Sequence, residues 1–356
     1  MATERNPFNK IKEEITNVIK LPEQTDDTQP MFEVEPDGGV TVDFSQTTIE
    51  MEAEEPIKEW YGNLAETLDE EKLKDISSIV IDSYSADKDS RAEWESMFER
   101  GFDLLGLKIE DASEPFEGAC TAVHPMLIES AVKFQSKAIQ ELFPPSGPVK
   151  TQIIGKSTLE REQQANRVKD FMNYQVTEQM PEYFDEFERM LFHLPLIGSA
   201  FKKVYYDANL KRPVSEFIPI DQFYVSYYAS NLRKADRYTH VIYRNPVDLA
   251  KDIRSGIYMD IELPEATNPN PTSLSSKMDT ILGLSPTENS DPQYTLLEQH
   301  CYLEIEEDYA LPYIVTVEEQ SREILSIRRN YQKEDKNQKK ISHFVHYRFV
   351  PGFGFY

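Results

Sequence analysis

Residues 119–151 read "ACTAVHPMLIESAVKFQSKAIQELFPPSGPVKT". Residues 164–207 read "QANRVKDFMNYQVTEQMPEYFDEFERMLFHLPLIGSAFKKVYYD", and residues 212–225 read "RPVSEFIPIDQFYV". These three blocks decide the fold class, because the hydrophobic period changes along them from about 3.6 to 2. Leu127, Ala131, Phe134, Ala138 and Leu142 recur at steps of four and three, so a helix is expected from Pro125 to Phe143, ended by Pro144, Pro145, Gly147 and Pro148. A short strand, Val149 to Ile154, is expected next, then a second helix from Ser157 to Gln179. That helix would be capped by Ser157 with Glu160 and striped by Ala165, Val168, Met172 and Val176. A third helix starts at Pro181, turns Tyr183, Phe187, Met190, Leu191 and Leu194 to one side, and is expected to stop at Pro195. From Gly198 the residues alternate, and a strand, turn and strand through Asp207–Pro213 form a hairpin.

Working outward, residues 56–107 read as helical, most clearly in "EWYGNLAETLD" and "RAEWESMFERGFDLLG". Trp94, Met97, Phe98, Phe102 and Leu105 fall near helical spacing in the second. Residues 1–55 are polar and acidic and are expected to be mostly disordered or extended. The exception is a strand-like patch, Val40 to Phe44, after the turn Asp37-Gly38-Gly39, suited to a neighbour's sheet edge or to an unpartnered arm. Downstream, Thr239 to Tyr243 reads as a strand, and "NPVDLAKDIRSG" as a short helix capped by Asn245 and ended by Gly256. Residues 262–293 read as a long surface loop with a short helix near Lys277 to Leu284. "LLEQHCYLEIE", "LPYIVTVEE" and "EILSIRRNY" then make an antiparallel meander, followed by a last strand-like run, "SHFVHYRFVPGFGFY". The fold class is therefore α+β.

The formal net charge of the 356 residues is −25, and 31 acidic against 11 basic side chains put −20 of it in residues 1–117. So acidic a chain is a poor static binder of nucleic acid, although it can surround DNA without gripping it. No apolar run is long enough to span a bilayer, and the N-terminus lacks the apolar centre of a secretory signal. Two lone cysteines, Cys120 and Cys301, suit a reducing compartment rather than a disulfide framework.

Candidate chemistry is sparse. The six histidines are scattered; His343 and His346 fall on opposite faces of a strand, and His300 beside Cys301 lacks ligand spacing, so no metal is expected. Gly155-Lys156-Ser157 ends like a phosphate loop, but Lys150 stands where the first glycine belongs. The carboxylates Glu182, Asp185, Glu186 and Glu188 read as a solvated helix face. Lys202, Lys203 and Arg212 belong to a basic stretch that also holds Arg233, Lys234 and Arg237. Arg328 and Arg329 belong to a second, with Arg322, Lys333, Lys336, Lys339 and Lys340. These read as exposed turns or, slightly preferred, as cations facing an acidic sector of a neighbouring subunit. Lys202, Lys203, Arg212, Arg328 and Arg329 are the candidate interface residues.

The quoted blocks, together with "PYIVTVEEQSREILSIRRNY" and "HFVHYRFVPGFGFY", resemble the wing region of podovirus-type bacteriophage portal proteins, the head-to-tail connectors, over residues 116 to 356. The resemblance implies a structural subunit of a dodecameric ring at one capsid vertex of the virion. Such a ring conducts double-stranded DNA without sequence specificity during packaging and ejection, nucleates capsid assembly and docks terminase and tail adaptors. It implies no enzyme activity, no catalytic residue, no cofactor and no membrane partner, with assembly in the host cytoplasm. The expected organisation is an acidic arm over 1–115, wing helices and hairpin over 116–261, the loop 262–293, and wing strands over 294–356. Family members are longer, so the stem, clip and crown are expected beyond Tyr356. The alternatives are a phage tail or scaffold adaptor, and a hydrolase of unrecognised type working through a carboxylate pair.

Overall fold

A computed structural model of the chain describes residues 32–34, 40–42, 60–105, 124–207, 210–268, 276–277, 291–350 and 354–355. Contacts divide the chain into two units, 1–58 and 59–356. In the first, strands β1 (Phe32–Val34) and β2 (Val40–Val42) pair antiparallel, with Phe32 opposite Val42. The strand expected after Gly39 is thus present and paired within the chain; the other expectations for residues 1–55 lie outside the described residues, as does most of the loop over 262–293.

The second unit is α+β. Its described residues form helices α1 (Glu70–Ser90), α2 (Ala92–Leu105), α3 (Met126–Leu142), α4 (Leu159–Tyr174), α5 (Glu182–Ile197) and α6 (Pro246–Arg254). The helical segment expected in the acidic arm therefore belongs to this larger unit, as α1 and α2. Among the described residues of "EWYGNLAETLD", Trp60 is helical and a 3-10 turn follows at Leu64–Thr67, where the Asn63 side chain accepts from Ala65 N at 3.1 Å. Its carboxamide also bonds the backbone of Leu325 and Ile327, far along the chain.

A four-stranded antiparallel sheet has the order β11-β10-β3-β4, from β3 (Ser199–Asp207), β4 (Arg212–Ile218), β10 (Phe344–Val350) and β11 (Gly354–Phe355). A five-stranded antiparallel sheet has the order β5-β6-β7-β8-β9, from β5 (Phe223–Val225), β6 (Tyr238–Arg244), β7 (Tyr294–Leu303), β8 (Leu311–Glu318) and β9 (Ile324–Arg329). The expected hairpin and meander are both present. The last run does not extend the meander: β10 pairs with β3, Phe344 opposite Lys203 and Arg348 opposite Ser199. The outer edge of β9 is already taken. Asn63 Nδ2 donates to Leu325 O at 3.0 Å, Asn63 Oδ1 accepts from Ile327 N at 2.9 Å, and Met259 N donates to Leu325 O at 2.8 Å.

The helix over Pro125–Phe143 forms as expected, and Ala131 and Ala138 of its stripe are buried. Three local expectations need correction. Residues 149–154 form no strand; Asn173 acts as the partner instead, accepting from Val149 N at 2.9 Å and donating to Val149 O at 3.2 Å. The cap of α4 is Thr158, whose hydroxyl accepts from Arg161 N at 3.4 Å, while Ser157 bonds the Glu162 carboxylate. Helix α5 runs past Pro195 to Ile197, because a proline in the last turn leaves only one carbonyl without its donor. Gly198 closes the helix in the left-handed region at φ 83°, its N–H bonding Leu194 O at 2.8 Å.

The core has separate centres. Met190, Leu191 and Leu194 of α5 pack with Ala138 of α3 and with Ala200 and Phe217 of the four-stranded sheet. Ile76 and Val80 of α1 cover Tyr313, Val315, Val317 and Ile327, one face of the five-stranded sheet. The two sheets meet through Phe201, Phe223, Tyr238 and Phe344.

Candidate functional site

Side chains alternate across a strand, so residues of one parity share a face. On β6 to β9 one parity is mostly apolar and faces α1, with Thr239 and Gln299 as its polar members. The other parity carries a polar cluster beside apolar residues such as Leu296 and Ile314. The register sets His240 opposite Glu298, Glu298 opposite Thr316, and Thr316 opposite Ser326. The adjacent row sets Tyr238 opposite His300, His300 opposite Ile314, and Ile314 opposite Arg328. This polar face lines a cavity of about 520 Å³, closed on other sides by Lys203, Tyr205 and Glu216 of the β3–β4 hairpin, by His343, and by Tyr258 after α6.

Glu298 is the electrostatic centre. Its Oε2 accepts from Lys203 Nζ at 2.7 Å, which joins the two sheets, and its Oε1 meets His300 Nε2 at 3.1 Å. Burial alone would raise the Glu298 carboxyl, but the Lys203 ammonium and the imidazole bond outweigh it and hold the group well below the usual carboxylate range. Asn330 Nδ2 donates to His300 Nδ1 at 3.3 Å, so the neutral ring carries its proton on Nε2, toward Glu298. Burial is the main cause that pushes His300 down to about 4 and His240 down to about 3, the latter helped by the Lys203 charge. Two buried nitrogens on this cavity, His240 Nδ1 and Arg244 Nε, have no hydrogen-bond partner among the described residues.

The five cations expected at a subunit interface are engaged within the chain. Lys202 is 1% exposed, its ammonium 4.3 Å from the Tyr183 ring centre and 4.8 Å from that of Phe187. Burial pushes its pKa down to about 8. Lys203 pairs with Glu298, and Arg212 with Glu182 at 2.6 Å. Arg328 donates to Gly256 O and Ile257 O, and Arg329 binds Glu306 and Trp60 O while lying over the Trp60 ring. Of the α5 carboxylates, Glu182 is spent on Arg212, and Glu186 on Arg189 and Phe217 N. Cys301 is buried, and burial raises its thiol to about 12, so it is unreactive.

A second feature is apolar and open. No residue of α4 is buried. Of the stripe predicted there, Val168 and Met172 are exposed while Ala165 and Val176 are half-buried; Phe171, off that stripe, is 60% exposed, Leu159 and Tyr174 are exposed at other angles around the helix, and Ile154 before it is 93% exposed.

The polar face was missed in the sequence because its residues are distant along the chain. The signal was parity: Glu298 and His300, and Ser326 and Arg328, are each two apart, and His240 shares their face only through the register of β6 on β7. No described helix is long and apolar enough to cross a membrane, and no group of three or more His, Cys, Asp or Glu side chains among the described residues is placed to hold a metal ion. Comparison with protein-family models and with curated protein sequences finds no match to this chain.

Proposed function

We propose that this chain is a structural subunit of a tailed-phage portal ring, contributing wing-type helices and sheets to a homo-oligomer at the capsid vertex. Such a ring conducts DNA during packaging and ejection and meets terminase, capsid or scaffold, and tail proteins. The supporting observation is α4, none of whose residues is buried and which leaves Val168, Phe171 and Met172 exposed. The resemblance of the quoted blocks to portal wings points the same way. The occupant of that face in this reading is a neighbouring copy. The test is negative-stain microscopy of the protein expressed from its own gene to the natural stop codon. Closed rings with a central hole support the reading. A monodisperse monomer at every salt concentration overturns it and favours an adaptor that needs a preformed ring.

A further inference from the structure

The strands of the five-stranded sheet alternate in direction, so the β5–β6 connection, the β7–β8 turn and the segment after β9 all leave it at the same end. Two cavities adjoin there and share Tyr302 and Ala310. The first, of about 490 Å³, is lined by all three connections. Arg233 comes from the first of them, Tyr309 from the second, and Lys339 and Lys340 from the third, and no carboxylate lines it. Asp236 and Asp308, near in sequence to Arg233 and Tyr309, do not line it. The second, of about 500 Å³, runs along α1 and is lined by Leu68, Ile79 and Leu303, with Lys72, Asp75 and Glu304 as its charged members. Together they make a groove that is cationic at one end and largely apolar at the other, on a chain of net charge −25.

The cationic end is preformed. Lys340 Nζ donates to Ala235 O at 3.0 Å and lies 4.4 Å from the Tyr238 ring centre. The Tyr309 hydroxyl donates to Gln338 Oε1 at 3.0 Å, which ties the β7–β8 turn to the segment after β9. Gln338 holds φ 46°, a conformation that costs a glutamine about 1–3 kcal/mol. Asp335, which feels the Lys339 charge, accepts from Asn337 N at 2.9 Å and Lys339 N at 3.2 Å. Arg233 has neither a hydrogen bond nor an ion pair among the described residues, and Lys339 has no ion pair there, unlike Lys203, Arg212 and Arg329.

We propose that this groove docks an extended acidic segment of a partner protein, an apolar side chain seating against Ile79 and Leu303 beside α1 and the carboxylates that follow it meeting Arg233, Lys339 and Lys340. Charge complementarity selects this occupant. A nucleic-acid strand carries phosphate along its whole length and would set charge against Asp75 and Glu304 at the apolar end, whereas a segment with an apolar head and an acidic tail matches each half of the groove. The site shares no residue with α4 and does not rest on the ring reading.

The test is fluorescence-anisotropy titration of the whole chain against a labelled peptide with a leucine pair followed by a run of glutamates. The comparisons are the same peptide with glutamines for glutamates, and labelled oligothymidylate of equal length. Saturable binding is expected of the acidic peptide alone. Arg233→Glu combined with Lys339→Glu is expected to weaken it at least about tenfold. Lys234→Glu, a reversal at an exposed cation outside the groove, should leave it within about twofold. The replaced side chains are exposed, so every variant should melt as the wild type does. No saturable binding, equal affinity for the glutamine peptide, or equal losses in Lys234→Glu and the double variant overturn the proposal. Tighter binding of oligothymidylate than of the acidic peptide also overturns it and makes the groove a nucleic-acid site.

Discussion

At the residue scale the fold tolerates a costly group, the buried ammonium of Lys202. Aromatic rings offset part of its desolvation, but its Nζ has no hydrogen bond. Its folded pKa of about 8 lies below the unfolded value of 10.5, so the stability linked to it is present above 10.5 and lost as pH falls to about 8. Lys202→Met is therefore expected to stabilise the protein at pH 7 by up to about 3 kcal/mol. In denaturant titrations the gap from wild type should shrink between about pH 8 and pH 10. The histidines act in the acid range. His240 and His300 titrate near 3 and 4 when folded against 6.5 unfolded, so their contribution is complete above 6.5 and is lost as pH falls toward those values. Between pH 7 and 5 each should cost about 2 kcal/mol, and His240→Gln should give a visibly shallower slope of unfolding free energy against pH over that interval. The sequence singled out Lys202 as a cation and offered parity for His300, but not the burial of either, because spacing along a strand shows which residues share a face but not which face is buried.

At the element scale most of the fold was legible. The apolar stripes of α3 and α5, the hairpin β3–β4, the cap and stop of α6 and the meander β7–β9 all follow from period and punctuation. What failed depended on partners far along the chain. Residues 149–154 have strand-like composition, but they find the Asn173 carboxamide rather than another strand. The last strand-like run had no predicted partner; it pairs with β3, while Asn63 and Met259 occupy the edge of β9. The turn at Gly147 tests this account. It sits at φ 93°, and a Cβ there would collide with Asn173. Gly147→Ala should cost about 1–3 kcal/mol and release Asn173 from Val149, seen as loss of hydrogen-exchange protection at the Val149 amide.

For the molecule as a whole, two features stand out: a helix, α4, with no buried residue and several exposed apolar side chains, and a sheet face that buries a cluster of polar groups around Glu298. The first carries the assembly reading; the second lies on other elements, β6–β9. The sequence showed the stripe on α4 but not its exposure, since an amphipathic pattern says that a face seeks cover and not what covers it. The predicted interface cations are spent within the chain, so on this account cohesion between copies comes from apolar burial at α4 and should depend weakly on salt. The most direct measurement is mass photometry of the wild-type chain and of Phe171→Asp across a range of salt concentrations. The account predicts oligomers for the wild type that persist in high salt, and well-folded monomers for the variant. Equal assembly by both, or a wild-type chain that stays monomeric throughout, would contradict it.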